Sequence, residues 1–187
     1  GGGTPRCTTH PLFHLLGNPA RNGIATPVAG FGVNAVNGNF FHEEVDAAMP
    51  GKDIPFVFSR AYNSLSEDKD KFDQDLPKPL GAGWTHAYNI VLRSNGTNAE
   101  VIWGDGRHDG FAKSGSAWQA GTPGNFSTLS EVSGQTYTWE LTTKSQMRYR
   151  FDTTGKLLSI VSRSSNSMSF SYTGSQLSAI TDTQAEP

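Results

Sequence analysis

The densest group of ionisable side chains is His42-Glu43-Glu44-Val45-Asp46. Carboxylates this close can divide into a general acid and a general base when their surroundings split their pKa values. On an extended chain, however, Glu43 points away from Glu44. The cluster therefore predicts an ion pair with Arg60 on a neighbouring strand, or a solvated edge, ahead of catalysis. Asp105-Gly106-Arg107-His108-Asp109 sets an imidazole between carboxylates and invites a hydrolase reading. The sequence holds no G-x-S-x-G nucleophile, and Asp105-Gly106 is accounted for as a hairpin turn. His10 and His14 stand at i and i+4, the spacing of zinc-binding helices, but Pro11 limits that stretch to a single helical turn and no third ligand is adjacent. No metal, no other cofactor and no enzymatic activity are expected, a hydrolase being the least favoured reading.

Trp84, His86 and Tyr88 alternate as if on one strand face. They suit either an aromatic platform for a sugar ring or a core seam with polar tips at the sheet margin, and the seam is favoured. Trp103, Trp118 and Trp139 are further candidates for an exposed patch. Trp118, set among Gly and Ser, is the best of them as a binding surface. Asn95-Gly96-Thr97 and Asn125-Phe126-Ser127 satisfy the glycosylation sequon, which matters only in a eukaryotic secretory setting.

The elements that must position these residues are strands. Phe40 to Val45 and Pro55 to Tyr62 flank a Pro50-Gly51 turn, and Phe56, Phe58, Arg60 and Tyr62 share one face of the second. Leu65 to Pro79 mixes charges with two prolines and reads as a surface excursion tolerant of sequence change. Trp84 to Leu92 reads as one strand, followed by hairpin signals at Asn95-Gly96 and Asp105-Gly106. Further strands are expected at Gly110 to Lys113, Ser127 to Val132, Tyr137 to Thr142 and Met147 to Asp152. In the last two, aromatics alternate with polar residues as a sheet with one dry face requires. Leu157 to Ile160 recurs as Leu177 to Ile180 after roughly twenty residues, the period at which β-arrays become credible, with Ser167 to Tyr172 alternating between them. Before Ala29 four prolines punctuate an arm whose only helical prospect is Pro11 to Leu16.

Bulk properties agree. Among 187 residues only 17% are charged, while there are 21 Gly, 10 Pro and 11% aromatics, a balance suited to short strands and tight turns. The net charge of −2 and the scattered Lys and Arg exclude strong nucleic-acid binding, and no apolar run is long enough for a membrane span. Cys7 is the sole cysteine, so no internal disulfide forms. The chain reads as a piece of something longer.

Two conjoined motifs carry a resemblance. Asn37-Gly38-Asn39-Phe40, the acidic run, Pro50-Gly51 and Phe58-Ser59-Arg60-Ala61-Tyr62-Asn63-Ser64 are followed by Gly81-Ala82-Gly83-Trp84-Thr85-His86-Ala87-Tyr88. In this order they resemble the opening of Rhs/YD-repeat proteins. Tyr149 to Leu157 is similar to the hairpin unit that names the YD repeat. The sequence departs from that pattern in the added stretch Ala20 to Gly32 and in Ser165-Asn166, where R-N-G-N is common. Neither the family's aspartyl autoprotease core nor a toxin segment is present in the sequence, so proteolysis and toxicity are not carried over.

The resemblance implies an all-β fold of antiparallel hairpins in a curled, barrel-like or sandwich-like sheet at the start of a YD-repeat β-shell. The expected divisions are an irregular N-terminal arm at 1–32, an Rhs-associated β domain at 33–145 and the first repeats at 146–187. It also implies a non-enzymatic scaffold, secreted or on a bacterial cell surface, for enclosing or delivering a toxin. Its partners would be the rest of the parent chain or an enclosed C-terminal segment, with self-association through an open strand edge as a variant. The residues marked as structural are Asn37, Gly38, Asn39, Phe40, Arg60, Tyr62, Asn63, Gly83, Trp84, His86 and Tyr88. An adhesion or carbohydrate-binding module using Trp118 is the alternative.

Overall fold

A computed structural model describes residues 28–29, 33–34, 39–121 and 124–183. Asn37, Gly38, Cys7, His10, His14 and the Pro11 to Leu16 turn lie outside the described residues. The described chain is all-β and antiparallel throughout, and among its residues no helix is long and apolar enough to cross a membrane.

β1 (Val28–Ala29) pairs with β2 (Val33–Asn34) in a two-stranded ladder. β3 (Phe41–Met49), β4 (Phe56–Asn63) and β5 (Trp84–His86) form a three-stranded sheet in that order. The remaining strands make one ten-stranded meander in strict chain order: β6 (Val91–Ser94), β7 (Asn98–Ile102), β8 (His108–Ser114), β9 (Ala117–Ala120), β10 (Thr128–Glu131), β11 (Trp139–Thr142), β12 (Arg148–Phe151), β13 (Leu157–Val161), β14 (Ser167–Thr173) and β15 (Gln176–Thr183). The sheet passes from β11 to β12 without interruption.

The alternation seen in the sequence sets the inner face. Tyr149 and Phe151 are buried while Arg148 and Arg150 are half-exposed. Arg150 donates from Nε to Glu140, its register partner on β11, at 2.8 Å. Inside the curl the largest fully buried side chains are Phe151, Leu141, Leu157, Met168 and Val101, joined by Trp103, Phe111, Trp118 and Leu129. The interior is thus occupied by side chains, each large one worth roughly 1.5–3 kcal/mol of burial.

What bends the sheet is local. Register shifts at Arg150/Phe151 and at Ser171/Tyr172 add residues to one side of the ladder and increase its twist. The sheet then turns back on itself: Leu92 on β6 donates its N–H to the carbonyl of Gly155 at 2.8 Å, beside a single bridge between Val91 and Lys156. The sheet does not close into a barrel. Gly155 has φ +80°, and a Cβ there would sit 1.8 Å from the Leu92 carbonyl oxygen, so no other residue fits the seam. Asp152 organises the same turn, its Oδ1 accepting from Thr154 N, Thr154 Oγ1 and Lys156 N at 2.7–2.9 Å.

One expectation is corrected. Trp84 to Leu92 is not one strand: after His86 the chain turns, Asn89 donating its N–H to the His86 carbonyl at 2.9 Å, and crosses from the three-stranded to the ten-stranded sheet. Leu65 to Pro79 does run over the surface, most of its residues exposed, and it is held there at two points. Asp70 is buried, its Oδ1 accepts from Phe72 N and Gln74 N at 2.7 and 3.0 Å, and Arg93 lies 3.3 Å from its Oδ2. Lys71 donates to the Ala99 carbonyl at 3.1 Å and stands 3.5 Å from Glu100. The segment is pinned to β6 and β7 by charge.

Candidate functional site

Most of the described motif residues gather within the three-stranded sheet, and His86 and Tyr88 carry it to the large one. Asn39 and Phe40 are joined to the end of β4. Ser64 Oγ donates to Asn39 Oδ1 at 3.0 Å and accepts from Phe40 N at 2.8 Å, and Ser64 N donates to the Phe40 carbonyl at 2.9 Å. Leu65 N reaches both Asn39 Oδ1 at 3.2 Å and Asn63 Oδ1 at 3.0 Å. The N-F and Y-N-S halves of the pattern are therefore one clasp closing β3 against β4. Asn63 extends it to the next strand, its N–H donating to the Gly83 carbonyl at 2.9 Å.

Gly83 has φ +76°, and a Cβ would lie 2.7 Å from Tyr62 Cε2. The glycine lets Tyr62 pack against its register partner Trp84 with ring centroids 5.3 Å apart, and Phe40 covers Tyr62 from the other side at 5.9 Å. Arg60 is held by Asp46 through Nε at 2.6 Å and a second bond at 2.8 Å, with Glu44 at 3.2 Å, while its guanidinium lies 5.7 Å from the Trp84 ring centre. The Asp46 hydrogen bond, aided by both carboxylates, holds the guanidinium above its usual range. The expected ion pair between Arg60 and the acidic run is present. Glu44 and Asp46, two positions apart on β3, lie on one side of the strand, beside a register shift between Val45 and Ala47.

Burial governs the other titratable groups. Glu43, which faces Ser59, is pushed up to about 7 by desolvation. His86 is 5% exposed, stacks on Phe58 at 5.3 Å and is driven down to about 4 by burial, so its imidazole is neutral. Tyr88, in the crossover turn, accepts from the backbone N–H of Val57 at 3.0 Å and packs on Phe56, Phe58 and Phe170 at 6.0, 6.4 and 5.2 Å. It does not share a strand face with Trp84 and His86, because the turn intervenes.

A second contact fastens the sheets. Asp53, at the β3–β4 turn, accepts from Ser162 Oγ at 2.9 Å and from Asn166 Nδ2, in the β13–β14 turn. These donors, Asn166 first, hold its carboxyl below the usual range. Beneath the crossover, Gly104 approaches so closely that a Cβ would sit 2.3 Å from the His86 carbonyl oxygen. The adjoining hairpin carries Trp103, whose Nε1 donates to Asp109 at 2.7 Å, and Arg107, 3.1 Å from Asp109 and 4.5 Å from the Trp103 ring centre. Asp105 accepts from Arg107 N at 2.9 Å, its Oδ2 finds no hydrogen bond among the described residues, and burial pushes it up to about 7. These side chains stitch the hairpin together.

Trp118 requires a correction: it is 6% exposed, not a surface platform. Its ring meets Trp139 edge-on at 5.4 Å and its Nε1 donates to Glu131 at 3.1 Å. Position 118 falls on the inward side of β9, whatever the polarity of its neighbours. Sequence reasoning also missed Asp53, Asp70 and Gly104. Asp53 could have been suspected from its place beside Pro50-Gly51, whereas nothing local marks Asp70. Among the described residues no group of His, Cys, Asp and Glu is placed to hold a metal ion.

A family model covers the stretch that builds this junction. Residues 30–111 match a domain of unknown function, DUF6531. The DUF6531 match takes in β2 to β7 and ends within β8, so it contains the Asn39 clasp, Arg60, Trp84, His86 and Tyr88. Strands β9 to β15 lie beyond it. No curated protein matches the chain.

Proposed function

We propose that the chain is a non-enzymatic structural module that starts or caps the β-shell of an Rhs/YD-repeat protein, a scaffold for enclosing or delivering a toxin. One observation carries this reading. The ten strands follow one another in chain order around a curled sheet whose last strand, β15, pairs on one side only among the described residues. Tyr172, Leu177 and Ile180 at that margin touch the core yet are only partly buried. A further hairpin of the same kind would pair with β15 and cover them. The natural partner is then the rest of the parent chain or a C-terminal segment it encloses, and a secreted or cell-surface bacterial setting accompanies the motif resemblance.

The DUF6531 half has a role in this scheme. The three-stranded sheet leads into β6 through the Tyr88 crossover and is tied to β14 by the Tyr88–Phe170 contact and to the β13–β14 turn by Asp53, so it braces the later strands of the ribbon. The test is to append a second copy of residues 147–183 after Pro187 and follow amide hydrogen exchange. Strand addition raises protection across 176–183. Unchanged protection there, with the added copy folded, would sink the proposal.

A further inference from the structure

We infer that the open side of the seam between β6 and the β12–β13 turn is a binding site for a neutral saccharide. Past Leu92 the two elements diverge and leave a cleft of about 510 Å³ lined by Arg93, Ser94, Lys113, Glu131, Trp139 and Thr154, with Gln74 at its rim. That volume lies within the roughly 300–1,000 Å³ of small-ligand sites.

The lining has the parts that sugar recognition uses, already fixed in place. Trp139 lines the cleft, is partly exposed and is braced at 5.4 Å by the buried Trp118, so its indole is positioned without further ordering. A pyranose presents an apolar C–H face that packs on such a ring, while its hydroxyls need donors and acceptors around the rim. Glu131 receives both Lys113 Nζ at 2.7 Å and Trp118 Nε1 at 3.1 Å on the same oxygen, Oε1, which leaves Oε2 available to accept from a hydroxyl. Lys113 keeps two further N–H donors. Arg93 is held between Asp70 at 3.3 Å and the Thr154 carbonyl at 3.3 Å.

Charge decides the class of ligand. Each cation at the cleft has a carboxylate partner, Lys113 with Glu131 and Arg93 with Asp70. A sulfated, phosphorylated or sialylated polymer would have to displace these pairs, whereas a neutral polyhydroxylated ring uses them as they stand. The site does not depend on the chain being the start of a shell.

The experiment is an array of neutral gluco-, manno-, galacto- and N-acetylglucosamine oligosaccharides with sulfated and sialylated glycans alongside, each hit being titrated by NMR. Binding to a neutral oligosaccharide is expected, with shifts at the Trp139 indole N–H. Trp139→Ala and Gln74→Ala should each weaken it, the former by about tenfold or more. Trp139→Phe should retain part of the affinity, and Phe126→Ala, at an exposed ring outside the cleft, all of it. Because Trp139→Ala also removes the ring that packs on Trp118, the rim variant Gln74→Ala is read in parallel with the fold checked by its NMR spectrum. Absence of any neutral hit, binding confined to charged glycans, or a hit insensitive to both cleft variants overturns the inference.

Discussion

The ring of Tyr88 lies 5.2 Å from that of Phe170, joining the crossover between the two sheets to a strand some eighty residues further along the chain. The phenol oxygen also accepts from Val57 N on β4. Tyr88→Phe keeps the ring contacts but strands the Val57 N–H, and should cost about 1–3 kcal/mol. Tyr88→Ala also opens a cavity and should cost about 3–5 kcal/mol. Urea unfolding of both variants measures the difference.

Gly155 and Gly174 both have positive φ, at +80° and +63°, yet differ in surroundings. At Gly174 nothing lies within 4 Å of the place a β-carbon would take, so Gly174→Ala should cost only the left-handed penalty of about 1–2 kcal/mol. At Gly155 the methyl would overlap the Leu92 carbonyl, and the loss should be roughly 4 kcal/mol or more. Thermal unfolding of the pair tests whether the seam is required.

Asp105 and His86 respond to pH in opposite senses. The folded pKa of Asp105 is raised to about 7, so its stabilising contribution is complete below the unfolded value near 3.8 and is lost as pH rises through 7. Asp105→Asn keeps the acceptor for Arg107 N. It should leave stability little changed near pH 3.5 and raise it by a few kcal/mol, about 4 at most, at pH 8. Glu43, also raised to about 7 but only half-buried, adds a smaller fall of the same sign. His86 is lowered to about 4, so its contribution is complete above the unfolded value near 6.5 and is lost as pH falls to 4, by about 3 kcal/mol. NMR titration should find its imidazole neutral at pH 5.5. Denaturant midpoints measured from pH 3.5 to 8 complete the test.

Asp70→Ala removes the acceptor for two backbone N–H groups and the partner of Arg93, whose side chain is 17% exposed. A loss of about 3 kcal/mol is expected, together with faster proteolysis between 65 and 79. Lys69→Ala, which removes only an exposed pair with Asp73, should leave unfolding unchanged.

The edge of β15, uncovered among the described residues, should pair in trans. Light scattering after size-exclusion chromatography should show a mass above 20.1 kDa that grows with concentration. A strict monomer across the series would contradict it.

The strands were legible because inward and outward residues alternate locally. Arg148 to Phe151 and Ser167 to Tyr172 show which side faces the core without reference to anything distant. The pairing of Arg60 with the acidic run was legible too, since both lie on adjoining strands of one hairpin. What was not legible depends on long-range placement. Trp84 to Tyr88 alternates like a strand, but Gly104 pressing on His86 and Ala87 marks where the chain leaves one sheet for the other. Trp118 looked exposed among small polar neighbours, yet β9 turns it inward against Trp139. Asp70 sits in a run of solvated charges and differs from them only because Arg93, twenty-three positions later, comes to meet it.

Phe151, Leu141, Leu157 and Met168 are fully buried at the centre of the curl. Their bulk takes up the interior of this stretch of sheet, so under the proposed role an enclosed segment would have to lie beyond β15 and not among these strands.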